Sequence, residues 1–229
     1  MKILHVSCSP RGLAAESYRL SQKIIAQLLL KAPRATIANR VLGLGGIPPI
    51  DENYAISQGS SADVSQEGSM AQSEELIQEL ESADVVVIST PMHNLAVPAT
   101  LKLWIDHVVR ARRTFKMTKA GKVGTLQDRP VFVAIASGGR FSGERAQQPD
   151  FLVPYLKTIL GMIGLHDLTF FSVEGTGFGP EAVAETRVKT DEAVREHFSS
   201  FRPRSHSGED GYSPATVANQ NLVVPSQIG

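Results

Sequence analysis

The sequence predicts a doubly wound, five-stranded parallel α/β sheet with helices on both faces. Three observations carry this. Short β-branched runs alternate with stretches of helical periodicity along about 200 residues. The third run, Val85-Val86-Val87-Ile88, is apolar throughout, as suits a strand buried on both faces. Each strand is also separated from the next by enough chain for a helical crossover, which parallel strands require.

Residues 2–7 form the first strand, with Ile3, Leu4 and Val6 apolar. The loop Cys8-Ser9-Pro10-Arg11-Gly12 follows, then a helix over 17–30 whose buried stripe includes Leu20, Ile24 and Leu28, with Ser17 as a fair N-cap. Strand, hydroxyl-bearing loop and helix N-terminus together make an anion site, because free N–H groups and serine hydroxyls converge there. No Gly-Lys-Ser/Thr follows, so a phosphate ester fits better than a nucleoside triphosphate. Residues 36–42 read as the second strand. Gly43-Leu44-Gly45-Gly46-Ile47-Pro48 fails as a dinucleotide fingerprint, with Pro48 where the last glycine belongs, and is read as a turn. Residues 49–69 are polar and are expected to be an excursion without a core of their own. A helix over 70–83 leads into the third strand.

After Thr90-Pro91 comes the loop 92–97, and then Pro98 at the expected first position of a helix. Leu101, Trp104, Ile105 and Val108 mark the buried face of that helix. Residues 111–128 form a second excursion, with Arg110, Arg112, Arg113, Lys116, Lys119 and Lys122 giving the region a basic character. It is expected to be a solvated loop, with contact to a dinucleotide phosphate or an acidic dye as the alternative. Residues 131–136 are the fourth strand, ending in Ser137-Gly138-Gly139. A helix over 151–163 stops at Gly164. Residues 168–172 are the fifth strand, and a last helix covers about 180–198. The stretch 199–229, rich in Ser, Pro, Gly and Asn, is expected to be a disordered tail. Loops after strands one, three and four thus lie at the carboxyl edge of the sheet, where such folds take ligands.

Composition narrows the function classes. Lys plus Arg and Asp plus Glu stand at 23 each, which gives no reason to expect nucleic acid or an anionic membrane as partner. No apolar run approaches a membrane span, and the first ten residues lack a signal peptide's apolar region, so a cytoplasmic protein is expected. The single cysteine rules out an internal disulfide framework, and at a strand end Cys8 reads as a small buried apolar residue. The six histidines show no metal-ligand spacing, so no metal is expected.

The motifs then fall in one order: Ser9-Pro10-Arg11-Gly12 with Ser17; Pro91-Met92-His93-Asn94; Leu101-Lys102-Leu103-Trp104-Ile105-Asp106; Arg110-Ala111 with Thr114-Phe115; Gly138-Gly139; Pro154-Tyr155-Leu156; and Ile163-Gly164 leading to Glu174-Gly175. Over residues 1–198 this order resembles the FMN-dependent NADH-azoreductases, also called NAD(P)H-quinone oxidoreductases, of the flavodoxin-like superfamily. The resemblance implies a three-layer αβα domain over 1–198 that binds FMN and uses NADH or NADPH to reduce a small quinone or azo acceptor. It further implies a ping-pong two-electron mechanism and a homodimer. It assigns Ser9 and Ser17 to the phosphate and Met92, His93, Asn94, Leu95, Ser137, Gly138 and Gly139 to the isoalloxazine, with Arg11 and Pro91 as further cofactor-binding residues. Backbone N–H groups of 92–94 and 138–139 are then the candidates for stabilising charge on the ring. His93 is a candidate proton donor, although solvent can supply the same proton and His93 then only packs beside the ring. The chain departs from the family pattern where His93 and Leu95 stand for Tyr and Phe, and where Ser137 stands for Arg. The tail has no counterpart in the family. Two other classes stay open on this fold, a flavodoxin-type electron carrier and a flavin-free binding or regulatory module.

Overall fold

The computed structural model describes residues 1–43 and 45–203. Five parallel strands form the sheet in the order β2-β1-β3-β6-β7, namely β1 (Lys2–Ser7), β2 (Thr36–Val41), β3 (Val85–Pro91), β6 (Val131–Ala136) and β7 (Leu168–Val173). The chain moves one way from β1 to β2 and the other way to β3, so the sheet reverses its winding between β1 and β3. Their carboxyl ends flank a crevice there. A separate antiparallel hairpin pairs β4 (Phe115–Thr118) with β5 (Gly121–Gly124).

The alternation of the buried strands divides the core between two faces. Ile3, Val85, Val87 and Phe132 pack under α1 (Glu16–Lys31) and α6 (Pro180–Ser200), against Leu20, Ile24, Leu28, Val194 and Phe198. Leu4, Val86, Ile88 and Val133 face the other way, toward α3 (Ser69–Ser82), α4 (Ala99–Val108) and α5 (Val153–Met162). There they meet Leu76, Leu101, Trp104, Leu156 and Leu160. Burying side chains of this size removes about 1.5–3 kcal/mol each from water contact, which fixes the register of every central strand.

The structure corrects several local expectations. Ala15, not Ser17, is the N-cap of α1, so Ser17 is the second residue of the helix and its hydroxyl makes no cap bond. Pro98 is likewise the N-cap of α4, in extended geometry, and not its first helical residue. The excursion over 49–69 holds a helix, α2 (Glu52–Gly59), capped by Asp51, whose side chain accepts from the Tyr54 N–H at 2.8 Å. Tyr54 is buried and donates its hydroxyl to the Asp106 carbonyl at 2.5 Å. The basic run is not a freely solvated loop. Arg110 and Arg112 pair with Asp63 at 3.0 and 2.6 Å, and Arg113 pairs with Glu74 and Glu81 at 3.0 and 2.6 Å. These ion pairs tie the second excursion to the first through Asp63 and to α3 through Glu74 and Glu81. Hydrogen bonds from the Arg113 guanidinium to the Glu81 and Glu74 carboxylates hold it firmly charged.

Glycine meets a steric demand at Gly43, where a β-carbon would lie 1.8 Å from the Ser9 carbonyl oxygen. That approach lets the β2 turn back directly against the loop after β1. Leu44, within the same expected turn, lies outside the described residues, as does the expected tail from residue 204 onward. No helix among the described residues is long and apolar enough to cross a membrane.

Candidate functional site

Four loops meet at the carboxyl edge of the sheet around a cleft with two lobes. The first lobe encloses about 330 Å³ and is lined by Ser9, Arg11, Ser17, Pro91, Met92 and His93, among others. The second encloses about 480 Å³ and is lined by Met92, Asn94, Leu95, Ser137, Gly138 and Gly139, with Gln148. Met92 and Gly138 border both lobes. All eleven residues singled out from the sequence therefore line the cleft, and both lobes are of a size that holds a small organic ligand.

The anion-binding wall of the first lobe is built by the chain's own succession from β1 to α1. The α1 helix opens with its first-turn N–H groups unpaired, as every α-helix does, and its positive end faces the lobe. The Ser17 hydroxyl is fully buried there and has no hydrogen-bond partner among the described residues. A buried hydroxyl without a partner carries a free-energy cost that an anionic oxygen at this place would remove. Ser9 is buried too, its hydroxyl accepting from the Arg11 N–H at 3.2 Å. Glu16 also lines this lobe, but its carboxylate receives Arg19 at 2.5 Å and Arg187 at 3.0 Å. Burial pushes the Glu16 carboxyl up, and the hydrogen bonds from Arg187 and Arg19 outweigh it, so the group stays below its ordinary range. Its charge is thus balanced before any anion arrives.

The second lobe is assembled from three distant loops. After β3, His93 and Ala96 exchange two backbone hydrogen bonds of 3.0 Å, closing a tight turn. The central residues of that turn, Asn94 and Leu95, sit at φ +48° and +70°. Asn tolerates this left-handed backbone; Leu does so rarely, which is the kind of strain that ligand sites retain. The His93 side chain is exposed, and no described residue hydrogen-bonds it. After β6, Gly138 presents bare backbone, with open space where a β-carbon would stand. Glu174 staples this loop to β7, accepting from the N–H groups of Phe141 and Ser142 at 2.7 and 3.1 Å and from the Ser142 hydroxyl at 2.5 Å.

The orphaned Ser17 hydroxyl at a helix N-terminus and the uncovered Gly138 backbone in the adjoining lobe fit a ligand that carries a phosphate at one end and a flat ring at the other. FMN has that shape and charge distribution. Sequence reasoning missed Gln148 and Thr176 at the cleft. Thr176, from the glycine-rich turn after β7, donates its hydroxyl to the Ser137 carbonyl at 3.1 Å. Cys8 is fully buried, and burial pushes its thiol far above its ordinary range, so it is chemically quiet. No cluster of metal-ligating side chains occurs among the described residues.

Comparison with known proteins agrees with this geometry. Residues 1–198 match a family model described as a flavodoxin-like fold. The chain is 44% identical to the FMN-dependent NADH:quinone oxidoreductase 4 of Pseudomonas fluorescens, over 83% of this chain and 91% of that protein. It is 45% identical to FMN-dependent NADH:quinone oxidoreductase 5 of Burkholderia lata, over 81% and 90%. Among solved structures, an FMN-dependent NADH-azoreductase of Bacillus anthracis in complex with FMN superimposes with a TM-score of 0.70 at 25% identity, covering 86% of this chain and all of that one. The chain belongs to the flavodoxin-like family and, within it, to the FMN-dependent NADH:quinone oxidoreductases.

Proposed function

We propose that this chain binds FMN in the two-lobed cleft and reduces quinones and azo compounds with NADH. The observation that carries the reading is the fully buried, unpartnered Ser17 hydroxyl at the start of α1, in a lobe that shares Met92 and Gly138 with the ring lobe. In this reading Ser9, Arg11 and Ser17 hold the phosphate, Met92, Asn94, Leu95 and Ser137 to Gly139 hold the ring, and Pro91 and His93 border the ligand from the first lobe beside Met92. When bound, FMN supplies the two-electron chemistry, taking hydride from NADH and passing it to the acceptor. The protein's part is position and polarity. The unpaired N–H groups of α1 attract the phosphate, the left-handed turn at Asn94-Leu95 presents backbone to the ring, and bare Gly138 lets the ring lie against the chain.

Donor and acceptor then share one exposed face of the cleft in turn, which makes the kinetics ping-pong. His93 stands at the mouth, where solvent also reaches, so His93→Ala leaves turnover within about twofold. The remaining parts of the reading are a cytoplasmic homodimer and one functional domain over 1–198, with 199–229 outside it. The test is a visible spectrum of the purified protein, recorded anaerobically before and after NADH and again after a quinone. Flavin bands that bleach and then return support the reading. A colourless protein that takes up no added FMN overturns it.

A further inference from the structure

The ring lobe contains a side chain that the motifs did not indicate. Residues 142–147 are all exposed, yet the next residue, Gln148, is half-buried and turns its carboxamide into the lobe. Gly139 makes room for it, since a β-carbon there would lie 2.2 Å from Gln148 Oε1. The backbone is tied down at the same point, because the N–H groups of Gln147 and Gln148 both donate to the Arg140 carbonyl, at 2.8 and 3.2 Å.

Chemistry fixes which end of the amide points where. One end lies 3.1 Å from Met92 Sδ and 3.2 Å from Ser137 Oγ. A thioether can only accept, so that end is the nitrogen. The carbonyl oxygen Oε1 is left on the wall of the lobe, and no donor among the described residues reaches it. The other carboxamide of the lobe, Asn94, is on the exposed turn. A carbonyl oxygen held in a fixed direction on the wall of a small-molecule cavity discriminates between ligands that can and cannot donate to it.

We propose that Gln148 selects among electron acceptors by accepting a hydrogen bond at Oε1, so that quinones bearing an N–H substituent are preferred over alkyl-substituted quinones of similar shape. The inference rests on the oxidoreductase reading above and names the acceptors which that site favours. Gln148 would touch the substrate directly, while its nitrogen keeps the carboxamide oriented through Met92 and Ser137.

The test uses FMN-loaded protein and two probes, 2-amino-1,4-naphthoquinone and 2-methyl-1,4-naphthoquinone. Their dissociation constants are measured by difference spectra without NADH, and their kcat/KM values with it. The wild type is expected to favour the amino compound in both measurements. Gln148→Met keeps the length and removes both polar atoms, and it should reduce that preference by about 3- to 10-fold, the worth of one neutral hydrogen bond. Gln148→Glu keeps acceptor oxygens but loses the nitrogen that Met92 and Ser137 hold, so it should keep only part of the preference. Any change in FMN loading cancels within each protein's ratio of the two probes, and the probes' own redox potentials cancel when that ratio is compared between wild type and variant. An equal ratio in wild type and Gln148→Met overturns the role of Gln148 while leaving the flavin reading intact. Wild-type protein that retains no FMN on desalting overturns the reading beneath it.

Discussion

The two lobes of the cleft are made in different ways. The anion-binding wall of the phosphate lobe comes from one continuous stretch, β1 to α1, which supplies the serines, the turn and the helix end, while Pro91, Met92, His93, Gly138 and Thr176 close the lobe from other loops. The ring lobe draws on Asn94 after β3, Ser137 after β6 and Gln148 from the segment before α5, and it is held by Glu174 at the end of β7. The anion-binding wall of the first lobe is a local structure that the sheet carries. The second lobe exists only once the sheet has brought distant loops together. Damage to the sheet's edge should therefore fall unequally on the two ends of the ligand.

The largest effect is expected at Glu174, which is buried and accepts from four donors, including the Ser172 hydroxyl at 2.9 Å. Leaving buried donors unpaired costs about 1–3 kcal/mol each, so Glu174→Ala should lose about 3 kcal/mol of stability in urea denaturation. Glu174→Gln, which keeps one carbonyl oxygen, should lose less. The comparison predicts more than destabilisation. FMN and riboflavin, which share the ring, should weaken by the same factor in Glu174→Ala, and a selective loss of FMN alone would mean that the staple serves the phosphate lobe.

Ser17→Ala addresses the other lobe. A hydrogen bond to a charged group contributes about 1.5–3 kcal/mol, so FMN should bind about 10- to 100-fold more weakly. Riboflavin, which lacks the phosphate, should bind as before. The free protein should not lose stability, because the hydroxyl has no partner to lose. Equal losses for FMN and riboflavin would place Ser17 at the ring and break the division between lobes.

This difference also decides what could be read from the sequence. The serines at 9 and 17 were legible because strand, loop and helix follow one another directly, and anion binding at a helix end is a local property. The strands were legible because burial on both faces leaves uninterrupted β-branched runs such as Val85 to Ile88. Gln148, Thr176 and Glu174 were not, because their roles depend on where three loops end up in space. The arginines at 110, 112 and 113 looked like a solvated charge run since their partners Asp63, Glu74 and Glu81 come from other segments, and only the fold pairs them. The helix α2 was hidden for a related reason. In its eight residues Tyr54 and Ser57 alone are buried, too few to produce a helical apolar stripe.

A smaller effect tests the turn within the ring lobe. Asn94 sits at φ +48°, where a β-branched side chain is strained by about 1–3 kcal/mol. Asn94→Ile should raise the FMN dissociation constant about 10-fold, whereas His93→Ala, which removes an exposed side chain, should change it by less than about twofold. Equal constants for the two variants would show that the turn's backbone does not carry the ring.

The smallest effect concerns His5, on the interior strand β1, where a substitution should alter the fold without touching either lobe. Its Nε2 lies 2.9 Å from the Ser21 hydroxyl and its Nδ1 lies 3.2 Å from Asn39 Oδ1. Burial lowers its pKa below the ordinary 6.5, and the hydrogen bond to Asn39 offsets only part of that shift. The unfolded chain therefore takes up a proton at a higher pH than the folded one does. Stability from this residue is complete above about pH 6.5, falls as the pH drops below that value, and levels off once the pH passes the lowered folded-state pKa. His5→Asn should flatten that part of the stability profile in urea titrations between about pH 7 and pH 5. The ratio of FMN to riboflavin affinity, a property of the lobes, should stay the same in wild type and variant across the range. An unchanged slope in His5→Asn would mean that another group governs acid sensitivity. A changed affinity ratio would mean that β1 transmits strain into the phosphate lobe, whose anion-binding wall would then be less local than its single stretch of chain implies.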